Sequence, residues 1–263
     1  MRALQTAATG MAAQELNVQV ISNNIANLRT TGYKRQRAQF QDLLYETVRR
    51  PGASTSDQGT IVPAGISIGS GVKTSSTPRI MSQGSVTQTS NDYDLAIRGE
   101  GFFRVKLPDG RTAYTRDGSF QLDAQGQLVT ADGYLVDPSI TVPQNASKVT
   151  ISTLGQVEAT VPGQTTPQTL GQLNLSRFIN KVGLESIGDN LFVETSASGP
   201  AIDGSPNSEG FGNLQQGFLE DANVNAVTEI SSLIAAQRAY EMNSKIITAA
   251  DQMYQSTAQM FRG

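Results

Sequence analysis

The chain has 263 residues, 38% of them apolar, which allows one or two domains of ordinary size with a real core. It contains no Cys and no His, so disulfides, thiolate nucleophiles, Cys/His zinc sites and Ser-His-Asp triads are excluded. Only 16% of residues are charged, the net charge is −3, and Ser, Thr, Asn and Gln make up about a third of the chain, so the surface is polar and uncharged and no global field favours nucleic acid.

The first fifteen residues carry a single early Arg and then Thr, Gln and Gly, where a secretory segment needs an apolar run of at least about 7 residues. No cleavable signal is expected. From Arg2 to Leu28, apolar residues recur every seven: Leu4, Met11, Val18 and Ile25 in one column, with Ala7, Gln14, Ile21 and Leu28 in the next. That spacing predicts a helix with an adhesive seam. Residues 1–45 are read as an N-terminal helical segment. Residues 46–71 are rich in Gly, Ser, Thr and Pro without periodicity and read as a linker or extended arm, opening on Arg49, Arg50, Pro51 and Gly52.

Residues 72–212 read as a β domain. Stretches such as Phe102 to Leu107, Thr112 to Thr115, Gln127 to Val129, Val149 to Ile151 and Leu191 to Thr195 alternate with turns ending at Gly110, Gly118, Gly126 and Gly133. The roughly eight-residue turn spacing predicts an antiparallel meander, with Phe103, Val105 and Leu107 on one face and Arg104 and Lys106 on the other.

Residues 213–263 form the C-terminal helical segment. A helix from Asn223 to Arg262 is predicted by Leu233, Tyr240, Ile247, Tyr254 and Phe261, flanked by Ala236, Ile246, Ala250, Met253 and Met260. The expected architecture is therefore α+β: terminal helices forming a coiled-coil layer and a mainly antiparallel all-β middle. The seams can close as an intramolecular hairpin or against other subunits. In the first case the helices run antiparallel, with Val18 near residues 238–240 and Met11 near residues 245–247.

Other patterns carry less. Gly99-Glu-Gly101 lacks the third glycine and the helix of a dinucleotide loop. Asp92 and Asp94 have no calcium-loop pattern around them. The basic stretch Arg29, Lys34, Arg35, Arg37, Arg49 and Arg50 suits a solvated face, a subunit contact with acids such as Glu229, Glu241 or Asp251, or a polyanion. No motif points to a cofactor or metal, and an Asp/Glu pair for glycoside hydrolysis stays open because carboxylates need no motif.

Two long motifs stand at opposite ends, Asn23-Asn24-Ile-Ala-Asn27-Leu-Arg-Thr30-Thr-Gly32-Tyr-Lys34 and Gln237-Arg238-Ala-Tyr240-Glu-Met-Asn243-Ser-Lys245. Together they resemble the flagellar basal-body rod and hook protein family. Asp94 to Phe103, Tyr114 to Phe120 and Gly183 to Gly188 are similar to the family as well, so the likeness covers essentially the whole chain. Its length and the segment from Asp42 to Ser54 are most similar to distal-rod members, with proximal-rod and hook members as alternatives.

The resemblance implies a non-enzymatic subunit that self-assembles into a helical tube. The tube spans the periplasm and transmits motor torque to the hook, with the two motifs and the helix seams as assembly residues. It implies as partners further copies of the chain, proximal rod and hook proteins, surrounding periplasmic and outer-membrane ring proteins and the flagellar export apparatus, with no nucleic acid and no membrane insertion. A periplasmic enzyme or cell-wall-binding module is the rival from another class; turnover or glycan affinity in the β domain would mark it.

Overall fold

The computed structural model describes residues 2–52, 63–163 and 166–260. The chain separates into two compact units: unit 1 comprises Met1–Ile25, Gln36–Pro78 and Ala226–Gly263, and unit 2 comprises Ala26–Arg35 and Arg79–Asn225. The architecture is α+β, with the terminal helices in contact and an antiparallel central β region.

Unit 1 is built on helix α1, Arg2–Ala26, and helix α2, Ala226–Met260. Both are shorter than their periodicity predicts, for local reasons. After Ala26 the Thr30 amide and hydroxyl both turn back on Asn27, at 3.1 Å to its carbonyl and 3.1 Å to its side-chain oxygen. This local bonding competes with continuation of the helix beyond Ala26. Asn223 is likewise committed to bonds outside any helix, so α2 starts three residues late, with Glu229 in its first turn, where an acid suits the helix dipole.

Unit 1 also contains two antiparallel ladders, Gln39–Asp42 with Val72–Ser76 and Tyr45–Arg49 with Ile66–Gly69. The first begins inside residues 1–45, read as helical, and the second, apart from Tyr45, falls within the segment read as a linker. Alternation is invisible there because every residue of Tyr45–Arg49 is exposed, so no buried face imposes a period of two. Residues 53–62 of the arm lie outside the described residues.

Unit 2 holds a seven-stranded antiparallel sheet in the order Glu185–Gly188, Leu191–Val193, Thr112–Thr115, Phe103–Lys106, Leu135–Asp137, Leu128–Val129 and Gln121–Leu122. Gly110, Gly126 and Gly133 take φ of +83°, +77° and +85° in tight turns between neighbouring strands, as expected. Gly118 does something else. A Cβ there would stand 1.7 Å from the Leu95 carbonyl oxygen, so this glycine permits a close backbone approach. The chain therefore leaves the meander at that point, and Leu95 donates its amide to the Gly118 carbonyl at 3.0 Å.

The predicted alternation of Phe103, Val105 and Leu107 against Arg104 and Lys106 is present in the burial pattern. Phe103 meets Phe120 edge to face at 5.0 Å, and with Leu95, Ile97, Val105 and Val136 it forms the main core. Each such side chain contributes about 1.5–3 kcal/mol. A three-stranded sheet, Lys148–Ile151, Gln156–Thr160 and Gln168–Gln172, packs its alternate residues onto the same core. Strands Asn213–Gln216 and Phe218–Glu220 pair with Leu95–Arg98 and Val86–Gln88, so unit 2 runs past residue 212, where the sequence reading ended the β domain.

Candidate assembly surface

The helices of unit 1 run antiparallel. Asn24 Nδ2 on α1 donates to Glu229 Oε2 on α2 at 3.2 Å, and a Cβ on Gly10 would stand 2.9 Å from Asn243 Nδ2. The residue numbers of both pairs sum to 253. The expected pairing of Val18 with residues 238–240 sums to 256–258, so the observed register is shifted by three to five residues, about one helical turn.

The shift follows from what fills the contact. At this register Glu229 and Asn243 face Asn24 and Gly10, and Ala236 and Ala250 stand level with Asn17 and Ala3, seven residues apart on each side. Glu229, Ala236 and Ala250 are the buried residues of α2, and Ala7, Ala13, Val20, Ile21 and Asn24 those of α1. Small side chains let the helices approach closely, and the predicted apolar columns are displaced to the margins. Leu4, Met11, Val18 and Ile25 are all half-buried, as are Leu233 and Ile247. Ile21 is buried, whereas Leu28 lies beyond the end of α1. Tyr240 and Tyr254 are exposed, and Phe261 lies outside the described residues.

Large apolar side chains instead face outward on α2: Val227, Ile230, Ile234, Met242 and Ile246 are all exposed, as is Met253, at 64%. Arg2, the first described residue of α1, stands level with Asp251 at this register. The stretch of α2 from Gln252 to Met260 therefore runs about 14 Å beyond its partner, and all of it is exposed. In the C-terminal motif, Asn243 faces α1, while Gln237, Arg238 and Lys245 are exposed.

The N-terminal motif divides between the units. Asn23 is exposed on α1. Asn24 is buried, donating to the Gln36 carbonyl at 2.8 Å and accepting from the Gln36 amide at 2.9 Å, which fixes the returning chain to the helix. Asn27, Thr30, Gly32 and Lys34 belong to unit 2. There the Gly32 amide donates to the Glu220 carbonyl at 2.7 Å, and a Cβ on Gly32 would meet the Asp117 amide nitrogen at 2.7 Å.

Lys34 Nζ is buried, donating to Glu220 Oε1 at 2.5 Å and to the Ser82 carbonyl at 2.9 Å. Arg116 closes the cluster, with NH2 at 2.8 Å from Glu220 Oε2 and NH1 donating to the carbonyls of Gly99 and Gly101. Burial holds the Lys34 ammonium below the usual lysine value, while Glu220 pulls it back up. Glu220, Arg116, Gly10 and Asn223 were not read from the sequence, because ion pairs across 186 and 104 residues leave no local pattern.

The arm of unit 1 is exposed on both faces. Leu44 at 87%, with Tyr45, Val48, Ile66 and Ile68, presents apolar surface beside the exposed Arg49, Arg50, Pro51 and Gly52. Arg2 pairs with Glu46 at 2.6 Å. Among the described residues no cluster of acids is arranged to hold a metal ion, and no helix is long and apolar enough to cross a membrane.

Comparison with known proteins matches residues 4–34 to the flagella basal body rod protein family, 96–159 to the flagellar hook protein FlgE/F/G D1 domain, and 215–260 to the flagellar basal body rod FlgEFG protein C-terminal family. The chain is 58% identical to the flagellar basal-body rod protein FlgG of Caulobacter vibrioides, with 99% of each chain covered. It is 38% identical to the protein of the same name from Bacillus subtilis over the full length of both. Against the flagellar hook protein FlgE of Helicobacter mustelae the identity is 39%, over 62% of this chain and 36% of the other.

Proposed function

The chain belongs to the FlgG family of flagellar basal-body rod proteins, and from that membership we propose how its geometry serves a rod. It is a structural, non-enzymatic protein of the distal rod of the flagellar basal body, and it assembles with rod components. The reading beyond this is that copies polymerise by covering the outward apolar face of α2 and its overhang with helices of neighbouring subunits. The observation that carries it is the division of α2: the residues it buries within the chain are Glu229, Ala236 and Ala250, while Val227, Ile230, Ile234, Met242, Ile246 and Met253 are left exposed. Each such side chain buried by a neighbour contributes about 1.5–3 kcal/mol.

Because the seam of the helix pair holds so little apolar surface, the pair is marginal in a lone chain and orders fully on assembly. The exposed arm bridges neighbouring subunits as a strut. Tyr240, Tyr254 and Phe261 act at contacts between subunits, and Asn24 and Asn243 within the chain. In this reading the polymer transmits torque to the hook and meets proximal rod, hook and surrounding ring proteins after passage through the flagellar export apparatus. The test is negative-stain imaging of purified protein under assembling conditions. Straight narrow rods are expected. Curved tubes, or no polymer at any concentration, overturn the reading.

A further inference from the structure

The chain passes between its two units four times, after Ile25, Arg35, Pro78 and Asn225. Inside unit 2, three of these crossings are bonded to one another. The Arg35 amide donates to Asn223 Oδ1 at 2.7 Å, and the Ile80 amide donates to the Arg35 carbonyl at 2.9 Å. Asn223 Nδ2 donates to the Ile80 carbonyl at 2.7 Å and to the Ser82 carbonyl at 3.0 Å, and Arg79 NH1 reaches the Lys34 carbonyl at 3.3 Å.

The buried ion cluster joins the same three segments. Lys34 comes from the first, the Ser82 carbonyl and the Gly84 amide from the second and Glu220 from the third, with Gly84 N at 2.9 Å from Glu220 Oε1. Arg116 links the group to the seven-stranded sheet. Here one asparagine side chain spends its acceptor on one crossing and its donors on another, and the charged pair joins positions 186 residues apart.

We propose that this knot is the mechanical anchor of unit 2, the place where tension along the chain is shared among the three crossings. Pulling one crossing loads all of these bonds at once, whereas a strand at a sheet edge would be released one hydrogen bond at a time. The proposal rests on the torque-transmitting reading for its purpose, but its test does not, because it is made on single monomers.

The chain has no cysteine, so handles can be placed uniquely on the full-length protein. Gln36→Cys with Ala226→Cys, the unit 1 residues next to two of the crossings, pulls on the knot, and Asp109→Cys with Asp132→Cys pulls between hairpin turns of unit 2. In force spectroscopy Asn223→Ala should lower the rupture force between residues 36 and 226 and leave that between residues 109 and 132 unchanged. Lys34→Met, which leaves Glu220 paired with Arg116 and Gly84, should do the same. Amide exchange at Gly32 and Ile80 should accelerate about tenfold in Asn223→Ala. Unchanged force between residues 36 and 226 in both variants, or equal losses in both pulling geometries, would overturn the anchor. Failure to form rods would leave this result untouched and count against the assembly reading alone.

Discussion

Replacing Glu220 by Gln removes the buried negative charge that Lys34 and Arg116 share. The two carboxylate oxygens accept from Lys34 Nζ at 2.5 Å, the Gly84 amide at 2.9 Å and Arg116 at 2.8 Å, and the side chain is fully buried. Glutamine offers a single oxygen, and its amide presents hydrogens to donors. At least one of the three loses its acceptor, and two cations are left without a counter-charge. Breaking a buried pair from one side costs about 3–5 kcal/mol. In a domain of this size each kcal/mol moves Tm by about 2–4 °C, so a fall of about 6–20 °C is expected by calorimetry at neutral pH. Lys34→Met should cost less, about 1–3 kcal/mol, because Glu220 keeps Arg116 and Gly84. The double variant should be less destabilised than the sum of the singles, since removing Lys34 relieves part of the uncompensated charge. A Glu220→Gln protein melting within about 2 °C of the parent would refute the account of this cluster.

Two other outcomes follow from geometry already described. Burial pushes the Tyr114 hydroxyl up to about 12, with Glu194 and Asp203 adding to it. Above pH 10 the unfolded chain gives up this proton first, so stability falls as pH rises from 10 towards 12. Tyrosinate absorbance at 295 nm should show a late step that Tyr114→Phe abolishes. For the helix register, Gly10→Cys with Asn243→Cys should oxidise within one chain, whereas Val18→Cys with Tyr240→Cys should not; mass spectrometry after mild oxidation distinguishes them, and the reverse result would require another register.

The alternation of Phe103, Val105 and Leu107 was legible because it depends on local periodicity, and the antiparallel direction of the helices because the chain leaves along one and returns along the other. The register was not. Weighting the columns by apolar size favoured Val18 and Tyr240, whereas the distance of closest approach is set by where side chains are smallest, at Gly10 and Ala236. The glycine of Arg116-Asp117-Gly118 was misplaced in a hairpin because its real partner, the Leu95 carbonyl, is remote in sequence. The N-terminal motif was recognised whole, but its division between a helix seam and a plug in unit 2 depends on Glu220 and Asn223, far down the chain.

The inequality of the two helices, 25 residues against 35, has a directional meaning. An antiparallel pair of equal helices looks much the same from either end. Here one end is double and the other tapers to a single strand of helix, so the pair is a wedge with a head and a tail. Under the assembly proposed above, subunits stacked head to tail in one sense would present an unfilled groove at one terminus of the stack and a bare tip at the other, so the two growing ends would differ chemically before any other protein is added.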